Sequence, residues 1–251
     1  MNTFKKPIVI LQARVDSSRF PNKIFQEINY VSLLEIQIQR ILMSRNVGDL
    51  IVAIPDTDQN NKLENFLSEL GIHVSRGPLN NVFERFRKII ESTDHDYFVR
   101  LTADCPLFMP KLFDEMYLEF VQSDVDYMSN CLPPTFPDGL DIEIFKKTAF
   151  LSQSDFNLNE KELEHVTLGL WTRPKFYKLR NYESEVDLSY LRMTVDYKED
   201  FDFVRQIFTG TSLDVDLEGV LKFLHNNPEV NNLKSPDFRN IALKDYLEKL
   251  K

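Results

Sequence analysis

The sequence predicts an α/β fold: a mostly parallel central sheet with helices on both faces. Short uninterrupted apolar runs, such as IVILQ at Ile8–Gln12 and LIVAI at 50–54, alternate with stretches whose apolar residues recur every three or four positions. A run that is apolar on both sides of the pleat must be covered on both faces, as parallel strands beneath helices are.

In order, Ile8–Gln12 is the first strand, and its loop runs to Lys23. Ser32 is placed to cap a helix carrying Leu34, Ile38, Ile41 and Leu42 on one face. Residues 50–54 form the second strand. Leu63, Phe66, Leu67 and Leu70 share one helical face, and Gly71 is the stop. Residues 72–75 form the third strand; Val82, Phe83, Phe86, Ile89 and Ile90 mark the next helix, with Asn80 as its expected cap. Tyr97–Thr102 is the fourth strand, followed by a helix with Leu112, Phe113, Met116, Tyr117 and Phe120 inside.

Beyond this point the pattern loosens. Residues 127–130 and 141–145 read as irregular strands around a Pro-rich loop at 132–137. A helix is expected over 160–171, late strands over 176–180 and 192–195, and closing helices over 197–208 and Leu217–Asn226. Without an internal repeat or a clear linker, one domain over 1–251 is the expectation.

A net charge of −9 argues against a general nucleic-acid or membrane-surface binder, which needs a basic footprint. The N-terminal apolar run is too short to span a bilayer, and no signal peptide is read there. Cys105 and Cys131 have no companions at zinc spacing and read as free thiols. These observations together predict a cytoplasmic protein.

In a parallel sheet, ligands bind beyond the carboxyl ends of the strands. After the first strand, Gln12, Ala13, Arg14, Asp16, Ser17, Ser18, Arg19 and Lys23 place three cations and two hydroxyls in one loop. Arginine forks and a lysine point charge match phosphate oxygens; a solvated charged loop is the plainer reading. The loop is neither a Walker A nor a G-x-G-x-x-G sequence. After the third strand come Ser75, Arg76 and Gly77, then Asn80, Asn81 and Arg85, groups that can read a base edge or simply make a βα turn.

Asp104 after the fourth strand and Asp196 after the 192–195 run are both carboxylates at a strand end, suited to sharing a Mg²⁺ ion. An Asp turn cap is the plainer alternative for Asp104, and Asp200 reads as a first-turn helix acid. Asp138, Asp141 and Glu143 cluster at a Pro-Asp-Gly turn, with Asp141 and Glu143 on one strand face. They suit sugar hydroxyls, or a charged guard on an edge strand. His165 is a weaker candidate on the 160–171 helix.

Taken together, these stretches resemble the cytidylyltransferases of the acylneuraminate and 3-deoxy-manno-octulosonate type, and most closely their spore-coat polysaccharide (SpsF-like) branch. The matching segments are an IQAR-like LQAR at Leu11–Arg14, S-x-R-x-P-x-K at 17–23, SRG at 75–77, LTADCPL at 101–107, YMSN at 127–130, TFPDGLDIEIF at 135–145, ELEHVT at 162–167 and RMTVDYKEDF at 192–201. The resemblance implies a nucleotide-diphospho-sugar transferase (Rossmann-like) fold that binds CTP. Nucleotide contacts would fall on Gln12, Ala13, Arg14, Ser17, Arg19, Lys23, Arg76 and Asp104, with Mg²⁺ on Asp104 and Asp196. The acceptor would meet Asp138, Asp141, Glu143 and His165, and the region from 132 through 145 onward would serve the sugar side and dimerisation. Lys23, Arg14, Asp104 and Asp196 would carry catalysis, in a homodimer.

The chain departs from the family pattern at Asp16 and Asn22, where Gly is usual, at Ala103, and at 168–171, where Pro-Tyr is usual. The implied activity is transfer of CMP from CTP to a sugar, sugar acid or related polar acceptor, with release of pyrophosphate, in surface polysaccharide biosynthesis. The alternatives are a glycosyltransferase using a nucleotide sugar and a non-catalytic nucleotide- or sugar-binding relative.

Overall fold

A computed structural model describes residues 5–233; the ends of the 1–251 reading, 1–4 and 234–251, lie outside the described residues. The chain opens with β1 (Ile8–Gln12), then a small hairpin, β2 (Glu27–Ile28) and β3 (Val31–Ser32), and helix α1 (Leu33–Leu42). Next come β4 (Asp49–Pro55), α2 (Asn61–Glu69), β5 (His73–Gly77), α3 (Val82–Glu91), β6 (Tyr97–Thr102) and α4 (Pro110–Gln122). The second half holds β7 (Tyr127–Ser129), β8 (Glu143–Lys146), α5 (Lys147–Ser152), α6 (Glu160–Glu164), α7 (Leu168–Trp171), β9 (Leu179–Asn181), α8 (Lys198–Gly210) and α9 (Leu217–Asn226).

Seven strands form one sheet in the order β5-β4-β1-β6-β8-β7-β9. β5, β4, β1 and β6 pair in parallel. β8 runs antiparallel to both β6 and β7, and β9 pairs in parallel with β7. The α/β, mostly parallel architecture is as the residue pattern predicts.

β1 shows why the sheet is covered on both sides. Val9 and Leu11 enter one core with residues of α1, α2, α4, α8 and α9. Ile8 and Ile10 enter the other with residues of α3, α5 and α7. Successive side chains of a strand point to opposite faces, and here each face meets helices.

Five local expectations change. Leu42 is 53% exposed, while Gln37 and Arg40 on the same helix are fully buried. Arg40 replaces water with carbonyls, donating to Phe108 O at 2.8 Å, Val215 O at 2.9 Å and Leu213 O. Asn81 rather than Asn80 caps α3, its side chain accepting from Glu84 N at 2.8 Å. The 160–171 helix is two helices, because Val166 takes a left-handed φ of 53° between them. The late strand expected at 176–180 is β9, Leu179–Asn181.

The 192–195 run is the fifth change: it forms no strand and makes only an isolated bridge, Arg192 to Asp138. It is held instead by single bonds from Met193 N to Asp138 O at 2.6 Å and Val195 N to Asp104 O at 2.7 Å. Gly139, at φ 99°, permits that approach, since a Cβ there would run into the Thr194 backbone.

Candidate active site

β1 and β6 lie side by side, with Gln12 in register with Thr102. Their carboxyl ends open into a cleft of about 840 Å³, lined by the loop after β1, the start of α3, the end of β6, α6 and Asp196. This is where a parallel sheet offers its loops to a ligand.

The loop after β1 turns back at Asn22, which has a left-handed φ of 56°. Asparagine tolerates that conformation better than most residues with a side chain, which accounts for its standing where the resembling family has Gly. The turn starts a short 3₁₀ helix, Lys23–Phe25, and brings Lys23 between two distant carboxylates. Its ammonium donates to Asp196 Oδ1 at 3.0 Å, Asp104 Oδ2 at 3.3 Å and Val195 O at 2.7 Å. Arg19 also reaches Asp196 Oδ1, at 2.7 Å. Arg192 holds Asp196 Oδ2 at 2.9 Å and bonds Asp138 and Asp200 as well. Asp200 in turn accepts from the backbone of Asp196 and Tyr197, fixing the start of α8.

These contacts keep the cluster ionised. Burial by itself would raise the Asp104 carboxyl, but Lys23, with hydrogen bonds from Thr102 and Cys105, outweighs it and holds it at about 2. Asp196 is lowered in the same way: burial opposes ionisation, and Lys23 and Arg19 overcome it. Burial pulls Lys23 down, yet the two aspartates raise it above the ordinary lysine value.

Elsewhere in the cleft, Arg85 is 2% exposed and donates to Pro78 O and Leu79 O, so its guanidinium braces the turn before α3. Burial, and secondarily Arg14, pulls it down to about 10. Arg100, from β6, pairs with Glu143 and reaches Gln12 Oε1 at 3.3 Å. His165 caps α6, and its Nε2 is buried with no hydrogen-bond partner. Burial lowers its pKa, leaving a neutral imidazole near pH 7.

The structure brings Gln12, Ala13, Arg14, Ser17, Arg19, Lys23, Asp104, His165 and Asp196 to one cleft. Four other residues singled out in the sequence do not line it. Arg76 bonds Asp56, Asn61, Glu64 and Thr57 O, all in the β4–α2 connection or on α2. Asp138 is taken by Arg192 at 2.7 Å. Glu143 is 7% exposed and accepts from Arg100, Thr167 and Tyr127, the last at 2.6 Å; its carboxylate is a buried hub with no face toward the cleft. Asp141, two positions away, is partly buried and also outside the lining.

Sequence reasoning passed over Arg100, Glu160, Leu163 and Glu164, all in the lining, and Arg192 as the clamp on Asp196. Arg100 carried a usable signal: an arginine inside the apolar run YFVRLT requires a buried partner. Leu163 and Glu164 lie within the ELEHVT segment, but which of its side chains face the cleft depends on the break at Val166.

The cytidylyltransferase profile matches residues 8–224. The chain belongs to the cytidylyltransferase family. It is 29% identical to the spore coat polysaccharide biosynthesis protein SpsF of Bacillus subtilis, over 92% of this chain and 98% of that protein. It is 30% identical to the uncharacterized protein MJ1063 of Methanocaldococcus jannaschii, over 97% of this chain and 98% of that one. Among solved structures, a cytidylyltransferase from Leptospira borgpetersenii superposes with a TM-score of 0.86 at 25% identity, covering 93% of this chain and 99% of that one. The fold is also shared with a CMP:2-keto-3-deoxy-manno-octonic acid synthetase complexed with CTP, at a TM-score of 0.64 and 14% identity, covering 82% of this chain and 99% of that one. Membership accounts for the order in which the motifs fall along the chain.

Among the described residues no group of three or more His, Cys, Asp or Glu is placed to hold a metal alone. Asp104 and Asp196 nevertheless fit Mg²⁺: both are ionised oxygen donors, both line the cleft, and they already share one cation. Mg²⁺ is commonly held by one or two carboxylates, with waters and substrate phosphates completing its shell.

Proposed function

We propose that this cytidylyltransferase transfers CMP from CTP to a sugar, sugar acid or related polar acceptor and releases pyrophosphate, in the making of a surface polysaccharide. The observation that carries this reading is the meeting of Lys23 with Asp104 and Asp196 at the edge of a cleft walled by Arg14 and Arg19. Nucleotidyl transfer requires little covalent chemistry from the protein; it requires positioning and charge neutralisation.

In this reading Arg14, Arg19 and Lys23 bind the triphosphate and offset the charge that develops on the leaving pyrophosphate. The turn braced by Arg85, with Asn80 and Asn81, lies where the base is held. Arg100 and the neutral His165 face the acceptor side. Asp104 and Asp196 would hold Mg²⁺, which when bound supplies charge neutralisation at the phosphates and acidifies the attacking acceptor oxygen. An acceptor oxygen attacks the α-phosphorus, its bond forming as the bond to pyrophosphate breaks in line. We propose, as the sequence resemblance implies, that the working unit is a homodimer.

The test is pyrophosphate release with each of the four ribonucleoside triphosphates and Mg²⁺, against pooled sugars, sugar acids and sugar phosphates. Release that depends on both CTP and an acceptor is expected. Equal release with every nucleotide, or none with any acceptor pool, rejects the CTP-dependent reading.

A further inference from the structure

Lys23 stands where a divalent ion shared by Asp104 and Asp196 would have to be. Its ammonium touches both carboxylates, at 3.3 and 3.0 Å. The remaining oxygens are engaged as well. Asp196 Oδ2 accepts from Arg192 at 2.9 Å, Arg19 adds a second cation to Asp196 Oδ1 at 2.7 Å, and Asp104 Oδ1 accepts from the Cys105 thiol at 3.4 Å. A divalent ion arriving alone therefore meets carboxylates already saturated with positive charge, and it must displace an ammonium against mutual repulsion.

The three cations are not equally free to leave. Arg192 is 7% exposed and tied to Asp138 and Asp200, so it stays. The Arg19 and Lys23 side chains are 41% and 12% exposed, and both line the cleft that also holds Arg14. A triphosphate entering that cleft offers Arg19 and Lys23 replacement anionic oxygens within the same space. Exchanging carboxylate for phosphate contacts keeps both cations paired and exposes the aspartate oxygens together.

We propose that Lys23 is an internal counter-ion that keeps a divalent metal off Asp104 and Asp196 until the triphosphate of a nucleotide draws Lys23 and Arg19 away, so that the metal site is completed only with nucleotide in place. The inference rests on the nucleotidyl-transfer reading above. It makes Lys23 a gate on metal binding in addition to a phosphate contact, and it protects the empty enzyme from holding a metal without substrate.

The probe is Mn²⁺, followed by electron paramagnetic resonance with the full chain, without acceptor, and corrected for manganese bound to free nucleotide. Wild-type protein alone, or with CMP, binds Mn²⁺ weakly; with CTP, whose added phosphates would draw the two cations in this proposal, the affinity rises by at least about tenfold. Lys23→Met raises nucleotide-free Mn²⁺ affinity by about 10- to 100-fold, the scale expected from removing one partly buried unit charge in contact with the site. A rise with CTP over CMP is required but would also follow from phosphate oxygens binding the metal; the nucleotide-free measurement on Lys23→Met, with Lys23→Gln beside it should the first not fold, decides the counter-ion role. Mn²⁺ binding that is equally tight with and without CTP overturns the counter-ion role. So does a folded Lys23→Met protein with unchanged nucleotide-free affinity. Equilibrium dialysis with labelled CTP separates the two ideas: CTP binding with metal affinity indifferent to it sinks only the gate, whereas no CTP binding under any condition sinks the transferase reading too.

Discussion

Two carboxylate–cation clusters lie four residues apart along the end of β6, and their surroundings give them opposite uses. At Asp104 the partners are Lys23 from the β1 loop and, through Asp196, Arg19 and Arg192. The Asp104 side chain is 30% exposed to the cleft, and its contacts can be exchanged for those of a ligand. At Arg100 the partner is Glu143 on the neighbouring strand, sealed further by the hydroxyls of Tyr127 and Thr167. Arg100 lines the cleft, but the Glu143 side chain is only 9% exposed and lies outside the lining. The same chemistry is a site where the cleft reaches it, and a structural tie where neutral donors close around the carboxylate.

The comparison can be broken by mutation. Glu143→Ala leaves Arg100 with its charge uncompensated, and breaking a buried pair in this way costs about 3–5 kcal/mol. Urea denaturation of the variant should show that loss; an unchanged midpoint would mean the pair is not a structural tie. Asp104→Asn and Asp196→Asn keep shape and remove charge. Each should lower kcat for pyrophosphate release on the order of 10²–10³-fold, with a stability loss well below that of Glu143→Ala. Near-normal turnover in either variant would reject the shared-carboxylate site.

His165 supplies a smaller, pH-dependent effect. Burial lowers its folded pKa below the ordinary 6.5, so the unfolded chain binds the proton first as pH falls. The folded state then loses stability as pH drops through 6.5, and the loss levels off below the folded value. A thermal melting series from pH 7.5 to 5.5 should be flatter for His165→Gln than for wild type. The smallest effect belongs to Arg76, whose partners Asp56 and Glu64 are 71% and 38% exposed. Arg76→Ala should cost less than about 1 kcal/mol and leave the KM for CTP unchanged; a large rise in KM would return Arg76 to the nucleotide site.

The first half of the chain was readable because its signals are local. The runs at Ile8–Gln12 and Tyr97–Thr102 are strands with those bounds, since an unbroken apolar run can be buried only beneath cover on two faces. Gly71 stops its helix at φ 70°, as a residue without a Cβ allows. The second half was read less well. The 192–195 run looks like a strand but owes its position to the close pass over Gly139, and the 160–171 helix breaks at Val166, a β-branched residue in a conformation that propensity disfavours.

The chain's residue pattern alone therefore determined the parallel sheet, the strand ends at which ligands would be met, and a cationic loop beside a carboxylate, because periodicity and strand–loop order are properties of neighbours in the chain. Folding decided which charges meet. Lys23 and Asp196 are 173 positions apart, and Asp141 and Glu143 alternate onto one face in the sequence pattern while only Glu143 is sealed by Arg100. Burial and pairing depend on elements distant in sequence, so the separation of the exchangeable carboxylates from the buried one exists only in three dimensions.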